Sequence, residues 1–232
     1  QSLPITNLLE IAAGTGVATR ALASGLPDTA SILATDVNEV MLARARSKGT
    51  ARTVEWRQAD AMRLPFDDAA FDAIVCQFGL MFMPDKSRAL SEWRRVLRPG
   101  GVLVFNVWDR IEDNEFADVI TTALASMFPD NPPRFMAGVP HGYHDRTVIE
   151  SDIATAGFVA PRIETITMRS IARSYRDAAI AYCCGTPISS EIAARGGSLD
   201  DATKLAATAI RARFGVVDVD GKIQAHVVTV VR

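Results

Sequence analysis

In the first half of the chain, apolar and β-branched runs alternate with segments of helical periodicity. Strand patterns cover residues 7–13, 31–35, 53–58, 71–77 and 102–108, and helical patterns cover 17–25, 39–48 and 86–97. This alternation is typical of βαβ units and of a parallel sheet that is buried on both faces. The third helix is predicted to end at Arg-Pro-Gly-Gly, residues 98–101, because Pro and Gly cannot continue it.

The second half of the chain is less regular. Helical patterns lie near 115–127, 147–156 and 200–214, and strand patterns lie near 162–170 and 223–231. The proline-rich segment 129–140 and the pair Gly196 and Gly197 are predicted to form loops. We see no internal repeat and no linker between domains. The pattern therefore predicts seven strands in an α/β fold, with a single domain over residues 1–232.

Composition and charge narrow the class of protein. With 48% hydrophobic and 22% charged residues, the 232-residue chain is far from the composition of disordered proteins. A chain of this size buries about 70% of its accessible surface on folding, so no metal or disulfide is needed for stability. The net charge of -2 gives no excess of positive charge for a nucleic-acid backbone, and the longest apolar runs are too short to cross a bilayer.

The three cysteines indicate the cellular compartment of the protein. Cys183 and Cys184 are adjacent and Cys76 lies alone in an apolar run, which gives neither a disulfide framework nor the spacing of metal ligands. We expect a cytoplasmic protein and a buried Cys76. No signal peptide is visible. Because the chain opens with Gln1 only a few residues before an apolar strand, we expect that an N-terminal segment precedes it.

A turn of small residues and two acidic residues are the main candidates for binding a ligand. The apolar strand at 7–13 runs into the turn at 12–16, whose small side chains let a ligand lie against the backbone. Asp36 and Asp60 follow at the ends of the second and third strands, so all three elements should meet at the carboxyl edge of the sheet, where ligands bind. Glu10 lies within the apolar strand and must find donors or charge partners.

Two interpretations of this turn compete. A dinucleotide-binding loop needs Gly-x-Gly-x-x-Gly, but a pattern that starts at Gly14 has Thr19 at its third glycine, and one that starts at Ala12 has Val17 there. The spacing instead suits a nucleoside without a phosphate. Each acid also has a structural interpretation: Asp36 could cap the helix that follows it, and Asp60 could bind loop amides.

Four ordered segments resemble one known family. They are 9–16 (LEIAAGTG), 60–72 (DAMRLPFDDAAFD), 77–85 (QFGLMFMPD) and 94–101 (RRVLRPGG). Together they resemble the class I S-adenosylmethionine-dependent methyltransferases, most closely the ubiquinone/menaquinone C-methyltransferase-like branch with a type 11/25 domain. Ala12 is a departure, because the family usually has glycine there.

The resemblance implies a Rossmann-like, doubly wound, mostly parallel seven-stranded sheet with an antiparallel last strand and helices on both faces. It divides the chain into a cofactor-binding half, about 1–110, and an acceptor-binding and capping half, about 111–232. It implies that the Gly14–Gly16 turn faces the methionine part of S-adenosylmethionine, that Asp36 binds the ribose, and that Asp60 with the Ala61 backbone binds adenine. The full set of implied cofactor-binding residues is Glu10, Ala12, Gly14, Thr15, Gly16, Asp36, Val37, Met41, Asp60, Ala61, Gln77 and Phe78.

The implied activity is methyl transfer to a small molecule, with the acceptor atom (carbon, oxygen or nitrogen) undetermined. The catalytic base is unknown; the candidates are His141, Tyr143 and His144, which follow the proline-rich segment. No metal is expected, because the fourth strand ends in Gln77 where a metal site would need an acid. Such enzymes usually carry N-terminal helices over the cofactor, a lid that we expect outside this sequence.

Three alternatives stay open at this point. One is an NAD(P)-dependent oxidoreductase, which Thr19 and the second acid Asp60 disfavour. Another is a protein that binds the cofactor without catalysis, since a fold does not guarantee activity. The sequence also leaves a homodimer open.

Overall fold

A computed structural model describes residues 5–232 of the protein. Its strands are β1 (Asn7–Ile11), β2 (Ser31–Asp36), β3 (Glu55–Gln58), β4 (Phe71–Gln77), β5 (Leu97–Trp108), β6 (Arg162–Ser174) and β7 (Val217–Val231). Its helices are α1 (Val17–Gly25), α2 (Glu39–Lys48), α3 (Lys86–Val96), α4 (Glu115–Met127), α5 (Phe135–Gly138), α6 (Arg146–Thr155), α7 (Tyr175–Gly185), α8 (Ile188–Ala194) and α9 (Leu199–Phe214).

The strands form one sheet in the order β3-β2-β1-β4-β5-β7-β6. The pairs among β1 to β5 are parallel, and they align Ile11 with Thr35 and with Cys76 at the ends of neighbouring strands. β7 runs antiparallel to the other six strands. The predicted fold class, a doubly wound Rossmann-like sheet with an antiparallel last strand, is confirmed. Because β3, β2, β1, β4 and β5 are parallel neighbours, the loops after them share one edge of the sheet.

Contacts divide the chain into two compact units. The first contains the chain up to Val107 together with Arg146–Glu164 and Val227–Arg232, and the second contains Trp108–Asp145 and Thr165–His226. The first unit packs apolar strand and helix residues such as Leu8, Ala34 and Trp93, each at most 2% exposed. The second unit has a core of its own, built on α4, α7 and α9.

Several predicted boundaries move for physical reasons. β1 ends at Ile11, two residues earlier than predicted, because Ala12 has a positive φ of 56° that a strand cannot continue. The third helix ends at Val96, just before the Arg-Pro-Gly-Gly segment, as predicted. β5 begins at Leu97 and not at residue 102 as predicted, so this segment belongs to the strand. Its irregularity remains visible as a register shift against β4, after which Ala73 pairs with Val102.

The second half of the chain differs more from the prediction. β6 and β7 extend beyond the predicted spans, and α7 and α8 were not predicted as helices. The proline-rich segment also holds the single-turn helix α5. Helices α1, α2 and α4 and strand β4 have the predicted bounds. Three of these four elements belong to the first unit.

Candidate functional site

The loop between β1 and α1 is held in left-handed backbone conformations. Ala12, Gly14 and Gly16 have φ values of 56°, 56° and 76°. Glycine adopts these angles freely, whereas for Ala12 the conformation costs about 1 to 2 kcal/mol. A Cβ on Gly16 would come within 3.0 Å of the side chain of Trp56, so the loop lies close against its surroundings. A strained residue in such a loop indicates a functional site.

Asp36 ties this loop to the end of β2. Its Oδ2 accepts a hydrogen bond from the Gly14 amide at 2.8 Å, and its Oδ1 accepts one from the Asn38 amide at 2.8 Å. The cap of α2 is Asn38, whose Oδ1 accepts from the amides of Val40 and Met41. The interpretation of Asp36 as the helix cap is therefore wrong. Each carboxylate oxygen can accept a second hydrogen bond, so Asp36 keeps capacity for two further donors.

Asp60 and Ala61 lie just beyond the end of β3. The exposed Asp60 carboxylate accepts a hydrogen bond from the Met62 amide at 2.9 Å through Oδ1. The Ala61 carbonyl accepts one from the indole Nε1 of the buried Trp93 at 3.0 Å, which fixes this turn to α3. The loop-amide interpretation of Asp60 therefore holds for one carboxylate oxygen, Oδ1.

Glu10 is buried within β1 and is 1% exposed. Burial raises the pKa of its carboxyl to about 7, against the opposing influence of the Thr19 hydroxyl and amide and of Arg20. Within the described part of the chain, its Oε2 has no hydrogen-bond partner. The expectation that this carboxylate must find donors or charge partners stays a prediction for the Oε2 atom. An unpaired buried charge is costly, so burial stabilises the protonated Glu10 carboxyl relative to the ionised form and raises its pKa.

A second strained turn follows β4. Phe78 has a φ of 52°, an outlier for a bulky residue, and its amide is shared between the Asn106 backbone oxygen at 3.2 Å and the Asn106 Oδ1 at 3.0 Å. A Cβ on the next residue, Gly79, would lie 2.5 Å from the Ala12 Cβ. The end of β4 therefore packs directly on the strained loop after β1.

The structure places the twelve predicted cofactor residues in or just after the parallel strands β1 to β4 of the first unit. β1 and the loop after it hold Glu10, Ala12, Gly14, Thr15 and Gly16. The neighbouring parallel strands β2 and β4 end at Asp36 and Gln77, and the segments after β2, β3 and β4 hold Val37, Met41, Asp60, Ala61 and Phe78. Val37 is 67% exposed and Met41 is 43% exposed, so two apolar side chains beside Asp36 face outward. Outward apolar side chains next to a carboxylate suit the flat face and the hydroxyls of a nucleoside.

Sequence reasoning missed Asn106. It lies on β5 and pairs in register with Gln77 at the end of β4. A polar side chain near the carboxyl end of an otherwise apolar strand, Val-Phe-Asn-Val, was the available signal. The same logic had singled out Asp36 and Asp60.

The candidate bases lie in the second unit. His141 is 4% exposed, and its Nδ1 lies 2.8 Å from the Asp109 carbonyl oxygen, which requires Nδ1 to carry the proton. Burial lowers the pKa of His141. Tyr143 is also buried, and the Nδ1 of the half-buried His144 lies 2.7 Å from the His141 carbonyl oxygen. That one of the three acts as the base stays a prediction.

Metal sites and membrane spans are two further features considered for the described residues. No group of three or more His, Cys, Asp or Glu side chains between residues 5 and 232 is arranged to hold a metal ion. No helix in that part of the chain is long and apolar enough to span a membrane.

Comparison with known proteins gives a family. Residues 9–105 match the model of the family described as "Methyltransferase domain". A ubiquinone/menaquinone biosynthesis C-methyltransferase UbiE from Ectopseudomonas mendocina (strain ymp) is 33% identical over 168 residues, covering 67% of this chain and 66% of that protein. The namesake from Enterobacter sp. (strain 638) is 41% identical over 101 residues, covering 42% of this chain and 40% of that protein.

Solved structures share the fold at lower identity. A protein from Bacillus halodurans C-125, provisionally named a methyltransferase, matches with a TM-score of 0.64 and 19% identity, covering 99% of this chain and 93% of that one. A phosphoethanolamine N-methyltransferase 2 from Haemonchus contortus, solved with phosphomonomethylethanolamine and S-adenosylhomocysteine, matches at 0.56 and 16%, covering 98% and 49%. The chain spans less than two thirds of the length of the two UbiE relatives. On its matching domain, its UbiE relatives and its fold, the chain belongs to the class I S-adenosylmethionine-dependent methyltransferases.

Proposed function

We propose that this protein binds S-adenosylmethionine at the carboxyl edge of its first unit and transfers the methyl group to a small molecule. The observation that carries the proposal is the Asp36 carboxylate, which holds the strained glycine loop by the Gly14 amide and keeps capacity for two more donors. A ribose presents two such donors. The same loop presents only small side chains, which lets a ligand approach its backbone.

The other residues supply complementary contacts. We propose that the outward apolar side chains of Val37 and Met41 pack on the adenine ring, and that Asp60 and the Ala61 amide bind its polar edge. Loop residues 12–16 face the methionine part. The buried Glu10 carboxyl, with its unpartnered Oε2, is suited to an ammonium group. Gln77 and Phe78 line the end of β4 next to the sulfur.

The chemistry that the cofactor supplies is a sulfonium with its own leaving group, which donates the methyl in an in-line displacement. The protein then needs no nucleophile, and its residues act by positioning the reactants and by excluding water. A carbon, oxygen or nitrogen acceptor differs in whether a base must take a proton. The UbiE relatives make quinol and phenol precursors the first acceptors to test.

Calorimetry tests the binding half of the proposal. The wild-type protein should bind S-adenosylmethionine and S-adenosylhomocysteine but not NAD or NADP. Micromolar binding of NAD without binding of S-adenosylmethionine would establish the oxidoreductase alternative instead.

A ligand with an altered ribose isolates the role of Asp36. Replacing a ribose hydroxyl of S-adenosylhomocysteine by hydrogen should weaken wild-type binding by about 10-fold or more, because a bond to a charged group is lost. In Asp36→Asn the same ligand change should cost much less, since the charged acceptor is already gone. Equal losses in the two proteins would show that Asp36 only anchors the loop. Asp28→Asn, a change at another aspartate in a turn of the first unit, is the matched control.

A transfer assay separates an enzyme from a non-catalytic binding protein. A panel of metabolites that includes quinols, phenols and amines should yield a methylated product with at least one acceptor. Binding of the cofactor without turnover on the whole panel would favour the non-catalytic alternative.

We also propose a cytoplasmic location. All three cysteines are free, with Cys184 exposed and Cys76 and Cys183 buried, which suits a reducing compartment. Fractionation of cells that express the full-length protein tests this. Recovery in an oxidising compartment would contradict it.

A further inference from the structure

We infer that Asn106 is a positioning residue for methyl transfer: its carboxamide oxygen fixes the strained Phe78 turn that ends β4. The inference rests on the proposed function, because Phe78 is proposed to lie next to the sulfur of the cofactor. It concerns a side chain that does not itself need to touch the reacting atoms. All of the contacts that carry it lie within the first unit.

The hydrogen bond is made where the pairing of β4 with β5 ends. Gln77 and Asn106 are the last paired residues of β4 and β5. One residue further, the Phe78 amide donates to both the backbone oxygen and Oδ1 of Asn106, at 3.2 and 3.0 Å. The side chain of Asn106 thus adds an acceptor that the backbone ladder alone does not provide.

The turn needs such support because it is strained. Phe78 adopts a φ of 52°, a region that a bulky side chain rarely occupies, and such residues persist only where the surroundings hold them. On the other side, Gly79 packs so tightly against Ala12 that a Cβ there would lie 2.5 Å from the Ala12 Cβ. Phe78 is therefore fixed between the glycine loop and Asn106.

The hydrogen bond also fixes the orientation of the Asn106 carboxamide. Because Oδ1 accepts from the Phe78 amide, Nδ2 is the group that points elsewhere. A change to aspartate keeps an acceptor for Phe78, whereas a change to alanine removes it. These two variants therefore separate the loss of the hydrogen bond from the loss of the amide group.

The first measurement needs no methyl acceptor. Dissociation constants for S-adenosylmethionine and S-adenosylhomocysteine are measured by calorimetry for the wild type and for Asn106→Ala and Asn106→Asp. Asn7→Ala, at the opposite end of β1 and outside the site, is the matched control. The preference for the sulfonium ligand is the ratio of the dissociation constants of S-adenosylhomocysteine and S-adenosylmethionine. In Asn106→Ala this ratio should change by about 3- to 10-fold, the size expected for one hydrogen bond, while the affinity for S-adenosylhomocysteine stays within about 3-fold of the wild type.

Asn106→Asp should keep the wild-type preference or strengthen it toward the sulfonium, since a carboxylate still accepts from Phe78 and attracts a cation. Equal weakening of both ligands in Asn106→Ala would indicate a structural role only and would overturn the inference. So would an unchanged preference in Asn106→Ala.

Hydrogen exchange at the Phe78 amide, measured without ligand, provides the second readout. Exchange should accelerate by about 3- to 10-fold in Asn106→Ala, and stay near the wild-type rate in Asn106→Asp and Asn7→Ala. The same rate in wild type and Asn106→Ala would show that the Asn106 side chain does not hold the Phe78 amide. If the wild type binds neither ligand, the proposed function fails, and the exchange rates still decide whether Asn106 holds Phe78.

Discussion

The buried carboxyl of Glu10 makes the stability of this protein depend on pH in a specific direction. Burial raises its pKa from an ordinary value of 4.5 to about 7. This difference corresponds to about 3 kcal/mol between the protonated and ionised forms. Because the folded state holds the proton more tightly than the unfolded state, the contribution to stability is complete below about pH 4.5 and is lost as pH rises through about 7.

Replacement of Glu10 by Gln tests this directly, because Gln is neutral at every pH. Urea unfolding from about pH 5 to 8.5 should show Glu10→Gln gaining on the wild type as pH rises, by up to about 3 kcal/mol above pH 7. Other titrating groups are common to both proteins and cancel in the difference. Glu150→Gln, at an exposed position of α6, is the control and should show no such trend. A difference between Glu10→Gln and wild type that does not vary with pH would refute the reasoning.

The same carboxyl predicts a proton signature of cofactor binding. If the ammonium group of the cofactor pairs with Glu10, it stabilises the ionised form, and binding near pH 7 should release about half a proton. Calorimetry in two buffers with different ionisation enthalpies measures that number. Glu10→Gln should bind more weakly and release none of it. Equal proton release by the wild type and Glu10→Gln would show that Glu10 does not pair with the ammonium group of the cofactor.

Three further predictions concern stability. Ala12→Gly should stabilise the protein by about 0.5 to 1 kcal/mol in urea unfolding, because relief of the positive φ exceeds the added entropy of the unfolded chain; a destabilised variant would contradict this. The pKa of Asp72 is lowered because, although burial opposes it, hydrogen bonds from Thr6 and Asn7 and the charge of Arg98 favour the ionised form. Its stabilisation is present above the ordinary carboxyl pKa and is lost on acidification, so Asp72→Asn should cost about 1 to 3 kcal/mol near pH 7 and progressively less below about pH 4; a constant cost would count against the charge. Burial lowers the pKa of His141, so wild-type stability should fall as pH drops below about 6.5, and His141→Gln should flatten that slope in thermal unfolding.

The sequence was sufficient for the arrangement of the first unit. Alternating strand and helix periodicities predicted parallel βαβ units, and that topology brings Asp36 and Asp60 to the same edge of the sheet. The role of Asp36 as a helix cap could have been rejected earlier. The predicted second helix begins at Glu39, which makes Asn38 its cap by position, and Asn38 is the residue that caps it.

The second unit was harder because its signals are local. α7 begins after Ser174, whose hydroxyl accepts from the Asp177 amide. Ser followed three residues later by an acid is a recognised start signal, and it was present in the sequence. The early start of β7 was missed, although its first residues alternate valine and aspartate and Val219 is buried. Part of its order comes from residues that are distant along the chain, such as Arg169, which contacts Asp220.

The strained positions show why the detailed site could not be predicted. A positive φ is expected from glycine, so Gly14 and Gly16 indicate the loop in the sequence. Ala12 has the same conformation, and its only signal is the glycine that the resembled family usually has there; Phe78 has it without any signal in the sequence. Their conformations are imposed by neighbours that are distant along the chain: Gly79 against Ala12, and Asn106 on the Phe78 amide. The strained backbone at these two adjacent strand ends persists only if the contacts stabilise the folded state by more free energy than the strain costs. Substitutions of Asn106 should therefore affect ligand discrimination more than overall stability, since the strand ladder beneath the turn remains intact.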